Sequence, residues 1–317
     1  MEIIRKWYNL FFKTLRYVAG PLILVLLVWK LGFDQTWNII TTTKLHYLLL
    51  AYVTFIISVL IAALNVYILL YPLKKLEPKT FLKYYFLSRV TSLVLPEGFG
   101  EFSISYFLEE EKINTGPAIA AILTDKITTI ATSCFIGLIA FYYIFGSTHI
   151  LTIIAYFLAL IALFVFFMSV PVRRFIKRWI LRKYSHYFDG FTLTLLSYAK
   201  QHKKITLINI AVTLFRILII ALAAKFMFLA INSSVPFLTL ILVGGIETLS
   251  TLVPLTINGL GIKQAVGVYA FNAAGVSPFI AAGRYFIGLF IQYTFGFLTA
   301  VLIKVPDKQE PRETTKE

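Results

Sequence analysis

A single cysteine, Cys134, stands in 317 residues, which excludes an intramolecular disulfide framework and any cysteine-clustered metal site. His46, His149, His186 and His202 lie singly, with no HExxH or paired spacing, so no metal-ligand set and no cofactor signature is legible. Charged residues make up only 14% of the chain, against ~25% in soluble domains, and acids are the scarcer sign, 15 against 30 basic residues. There is no GxxxxGK(S/T) phosphate loop, no GxSxG elbow and no kinase signature, which argues against ATP-driven work by this chain.

What fills the chain instead is apolar: 59% of residues are hydrophobic. Runs such as those from Tyr17 and from Ile150 approach or reach the ~20 residues that a helix needs to cross a ~30 Å hydrocarbon core. Transmembrane strands would alternate apolar and polar residues, and these runs do not. The formal charge of +15 flanks the apolar runs, so anionic headgroups and the positive-inside bias account for it without nucleic acid. Residues 1–16 set Trp7, Tyr8, Phe11 and Phe12 beside Arg5, Lys6, Lys13 and Arg16, as an interfacial amphipathic segment does.

Six segments are long enough to span: about 17–33, 45–71, 117–145, 149–170, 205–231 and 278–303. Two further stretches, 82–114 and 237–275, each hold two short arms around a Pro/Gly break and read as re-entrant hairpins. The segment 171–204 carries nine cations against Asp189 and marks the cytoplasmic side. With both hairpins entering and leaving on one face, it falls inside together with the other two basic segments and both termini. The expected fold is therefore an all-α polytopic protein of the cell membrane. A first membrane repeat fills 17–170, a second fills 205–303, and a polar disordered tail follows over 304–317.

The repeat is read from residues. Gly98-Phe99-Gly100 recurs as Gly259-Leu260-Gly261, and Pro117-Ala118-Ile119-Ala120-Ala121 as Pro278-Phe279-Ile280-Ala281-Ala282, both displaced by 161 positions. Three crossings separate the start of one helix–hairpin–helix unit, at about 45, from the start of the next, at about 205, so the units should be inverted, as in secondary carriers whose broken helices meet near the midplane. The other reading of the shared small residues is helix packing alone.

A charge at the bilayer centre costs ~2.5–3.5 kcal/mol on insertion scales and needs a partner, water or a function. Arg216 lies near the middle of its span, with Asn209 and Thr213 on the same face. Asp125 opens another polar face with Thr128, Thr129, Thr132 and Ser133. Arg89 and Glu247 each stand seven residues before their hairpin proline and carry opposite charge, so they suit a gate or a static bridge joining them at the midplane. At the breaks, Gly98, Gly100, Gly259 and Gly261 are expected to expose backbone N–H groups to an anion beside Asn258 and Lys263, with Arg284 one helix on. Glu101 is a candidate proton carrier, and Glu101 and Asp125 are the candidate coupling carboxylates. Lys126, Lys225 and Arg284 have a plainer alternative, snorkelling to an interface, which is the favoured reading for Lys225.

LPEGFGEFSISYFLEEEKI followed by PAIAAILTDKI, together with LVPLTINGLGIKQA and GVSPFIAAGRY, resembles the flippase-like family that shares the transmembrane region of lysylphosphatidylglycerol synthetase, over about residues 20–303. The resemblance carries over Pro96, Gly98, Gly100, Glu101, Gly259, Gly261, Lys263 and Arg284. It implies a lipid-handling membrane protein, a non-enzymatic flippase for a phospholipid or polyprenol-linked lipid. A separate lipid-modifying enzyme is an implied partner. The alternatives are a membrane transferase acting on a lipid headgroup and a non-transporting subunit of a lipid-pathway complex.

Overall fold

The computed structural model describes residue 29 and residues 41–93, 100–146, 190–250 and 259–303. All regular structure among them is helical: α1 (Leu45–Leu70), α2 (Pro78–Ser92), a 3-10 turn (Gly100–Ser103), α3 (Ile104–Leu108), α4 (Thr115–Phe145), α5 (Phe191–Lys200), α6 (Lys203–Ala230), α7 (Phe237–Ser250), α8 (Ile262–Ala273) and α9 (Pro278–Leu302). Pro78 and Pro278 open α2 and α9, where the missing N–H has no intrahelical partner to lose.

Four helices, α1, α4, α6 and α9, are long and apolar enough to cross a membrane. The 26 residues of α1 extend about 39 Å at the ordinary helical rise, beyond the ~30 Å core. These four match four of the expected spans to within two residues at either end. The remaining two expected spans lie outside the described residues except for Trp29, as do residues 1–16 and the tail 304–317.

The helix faces are sorted for lipid. On α1, Leu45, Leu49, Val53, Ile57, Leu60 and Leu64 are exposed at three- and four-residue spacing, while Ala51, Val59, Ala62, Ala63, Val66 and Leu69 are buried. Hydrocarbon accepts the first face as readily as protein would, and the small residues of the second let neighbouring backbones approach. The chain is a multi-pass membrane protein.

Helices α1 and α6 pack lengthwise against each other and run antiparallel. At one end the Lys44 N–H donates to the Ala230 carbonyl over 2.8 Å. At the other, the Tyr198 hydroxyl of α5, just ahead of α6, donates to the Leu69 carbonyl. The described part of the basic segment 171–204 is thus not a plain loop, because α5 buries Tyr198 and docks on the bundle.

The first break folds back on itself. The Ser103 hydroxyl donates to Thr91 Oγ1 over 3.1 Å, the Tyr84 hydroxyl donates to Glu110 Oε2 over 3.0 Å, and Lys74 pairs with Glu111 at 3.7 Å. The stretch therefore starts and finishes at the same end. Helix α8 likewise packs on α7. The hairpins then cross over: α2 lies against α9, and α7 lies along α4. Two hydrophobic cores result, one drawn mainly from α1 to α4 and the other mainly from α6 to α9.

Candidate functional site

Between the two cores lies a cavity of about 290 Å³ to which both hairpins and all four long helices contribute. Its polar wall is Arg89 from α2, Glu101 from the 3-10 turn, Lys126 from α4, Arg216 from α6, Glu247 from α7, Lys263 and Gln264 from α8, and Arg284 from α9. Among the described residues, five cations against two carboxylates leave a surplus of three positive charges in this lining.

Each carboxylate is held within its own half. Glu101 meets Lys126 Nζ at 2.5 Å and Arg89 Nη1 at 3.1 Å. Glu247 Oε1 accepts from Arg284 Nη1 at 3.2 Å and from the Tyr285 hydroxyl at 2.5 Å. Arg89 and Glu247 thus share the cavity but do not form the expected pair. The 3-10 turn brings Glu101 to Arg89 locally, and α9 covers Glu247. Arg284 is further held over the Tyr285 ring, 4.4 Å from its centroid, where a cation meets the negative ring face. Lys126, for which snorkelling to an interface is one of the sequence readings, lines the cavity. Lys225 does reach out of its helix, donating to the Val235 carbonyl over 2.7 Å.

Two cations in the lining are not matched by acids. Lys263 has no side-chain hydrogen bond or ion pair among the described residues. Among the described residues Arg216 donates from Nη2 alone, to Thr129 Oγ1 at 3.0 Å. The Nε–H groups of Arg216 and Arg284 are both buried without an acceptor among the described residues. Unmet guanidinium donors beside a positive cavity suit the oxygens of an anion, and phosphate matches their fork geometry.

The glycines act otherwise than expected. Gly100 is buried, and a Cβ there would stand 2.2 Å from the Ser92 Cα, so it serves the close approach of the hairpin arms. The Gly261 N–H, expected to face a ligand, donates to Gln264 Oε1 over 2.7 Å and thereby starts α8. Gly261 has φ +86°, a backbone that L residues avoid, and Gly259 shares the same turn. Their contribution is to aim Lys263 and Gln264 at the cavity. Gly98 and Asn258 lie outside the described residues, as do Pro96 and Pro254.

The polar faces read from α4 and α6 do meet, one layer from the cavity wall. Asp125 Oδ1 accepts from Asn209 Nδ2 at 3.0 Å and from Asn65 Nδ2 at 2.7 Å. Asn65 Nδ2 also donates to Thr213 Oγ1 over 2.9 Å. Sequence reasoning missed Asn65 and Tyr285. Asn65 had a signal, as the one amide in a strongly apolar helix; Tyr285 had none among eighteen tyrosines.

Residues 15–300 match the family described as the lysylphosphatidylglycerol synthase TM region. The chain belongs to that family. The match takes in every cavity-lining residue and both hairpins, and it makes this an integral membrane protein of a lipid-related family. No match to the chain was found among curated proteins or among solved structures.

Proposed function

We propose that this member of the lysylphosphatidylglycerol synthase TM region family is a flippase, carrying a phospholipid or a polyprenol-linked lipid across the cell membrane without changing it covalently. The observation that supports this reading most is the cavity: a surplus of three cations, buried between the two halves of a lipid-exposed bundle. Holding that much charge in a bilayer protein is costly unless an anion meets it. The anionic headgroup sits against Lys263, Arg216 and Arg284, and the acyl chains stay in the surrounding lipid.

The two halves are inverted copies within a six-span protein whose termini are cytoplasmic. Support comes from α1 and α6, the helices that precede the hairpin in each unit, which run antiparallel, and from the reciprocal crossing of α2 with α9 and α7 with α4. Each re-entrant hairpin closes the cavity toward one leaflet, and rocking of one unit against the other exposes the site alternately. Glu101 and Glu247 hold the cavity's cations in place while the lipid is absent and yield them to the phosphate when it enters.

The test is reconstitution into liposomes carrying fluorescent analogues of phosphatidylglycerol, phosphatidic acid, a polyprenyl phosphate and phosphatidylcholine. Protein-dependent movement of the anionic probes, faster than of phosphatidylcholine, is the expected result. No acceleration for any of them would refute the flippase reading. Formation of a new lipid from an activated donor would favour a transferase instead.

A further inference from the structure

The charges that line the cavity do not cancel, and the remainder has a definite size. Arg89 and Lys126 share the single carboxylate of Glu101, which leaves one positive charge in that cluster. The Glu247–Arg284 pair sums to zero. Arg216 and Lys263 add one positive charge each. Asp125, buried behind the wall against Asn65 and Asn209, offsets no more than one of these three. Among the described residues at least two positive charges are therefore left for a ligand to meet.

A phosphodiester headgroup brings one negative charge and two terminal oxygens. A phosphate monoester brings close to two negative charges at neutral pH and three terminal oxygens. Charge left unmatched inside a bilayer protein is costly, so the monoester fits this wall better. The free donors agree. Nε of Arg216 and Nε of Arg284 are buried without an acceptor, and Lys263 in the same lining has no side-chain partner among the described residues. Three side chains thus offer N–H groups, one for each terminal oxygen of a monoester.

Size points the same way. At about 290 Å³ the cavity stands at the lower end of ordinary ligand pockets, which run ~300–1,000 Å³. That volume suits a bare phosphate rather than one extended by a sugar or an amino acid. A headgroup amine would add positive charge to a wall whose two carboxylates are already engaged, which selects against zwitterionic lipids. Within the flippase reading, on which this step rests, we infer that the lipid carried ends in a phosphate monoester, with Arg216, Lys263 and Arg284 meeting its terminal oxygens.

Calorimetric titration of the purified full-length protein in neutral detergent tests this with dioctanoyl phosphatidic acid against dioctanoyl phosphatidylmethanol. At about pH 8 the two lipids differ by one methyl ester and hence by one charge. Phosphatidic acid should bind at least about tenfold more tightly, the worth of one further hydrogen bond to a charged group. In Lys263→Gln that ratio should fall severalfold. Equal affinities in wild type, no binding of either lipid, or a ratio unchanged in Lys263→Gln would overturn the inference. Glycerol 3-phosphate carries the same terminal group without acyl chains and should bind more weakly; binding as tight as that of phosphatidic acid would overturn the lipid source and assign the site to a soluble phosphate ester. No lipid movement is measured, so equal affinities for the two lipids leave the flippase reading standing, and absence of movement in liposomes leaves the binding preference standing.

Discussion

Glu247 illustrates what one side chain does in this bundle. Its side chain is 6% exposed and its partner Arg284 12% exposed, with Tyr285 donating to the same oxygen. Removing one member of a buried pair strands the other, which typically costs about 3–5 kcal/mol. Glu247→Gln should therefore lower the unfolding temperature sharply in a thermal melt. Tyr285→Phe, which removes one hydrogen bond to a charged group, should cost about 1.5–3 kcal/mol. Lys263 is the contrasting case, because no described side chain depends on it. Lys263→Ala should leave Tm within the scatter of the melt and cut protein-dependent movement of anionic lipid severalfold; unchanged transport would take Lys263 out of the binding site. Asp125 and Arg216 were legible as sites because an ionised group in an apolar run stands out. Partner groups were less so, since Asn65 meets Asp125 and Tyr285 meets Glu247 only when separate helices cross.

At the scale of elements, close packing is as informative as charge. In α7, a Cβ on Gly245 would stand 2.7 Å from Ile136 Cγ2 and 3.1 Å from the Gly137 nitrogen, at the crossing with α4, whereas a Cβ on the adjacent Gly244 meets nothing within 4 Å. Gly245→Ala should thus destabilise the protein, while Gly244→Ala should be neutral or stabilise by up to about 1 kcal/mol, from the helix preference of alanine over glycine. Parallel melts of the two variants check this, and equal effects would contradict the described α4–α7 crossing. The four long helices were readable because apolar length alone defines a crossing segment. The hairpin was readable as a break, from proline and glycine, but the destinations of its charges were not. Matching register in the two units pointed to an Arg89–Glu247 pair. The folded chain satisfies these two charges each within its own half, because Glu101, twelve residues along from Arg89, reaches it sooner than the opposite hairpin can.

On the scale of the whole molecule, the proposed transport requires two units of reverse sense enclosing one positive chamber. The antiparallel α1 and α6 and the reciprocal crossings of the hairpin helices follow from such an arrangement. It also places the two hairpin mouths on opposite faces of the membrane. Lys75, ahead of α2, and Ser277, ahead of α9, are both exposed and stand at those mouths. The most direct measurement is labelling by a membrane-impermeant maleimide of single cysteines, Lys75→Cys or Ser277→Cys in a Cys134→Ser background, in sealed vesicles of known orientation. The two positions should label from opposite sides, Lys75→Cys from the cytoplasmic one. Labelling of both from the same side would contradict it.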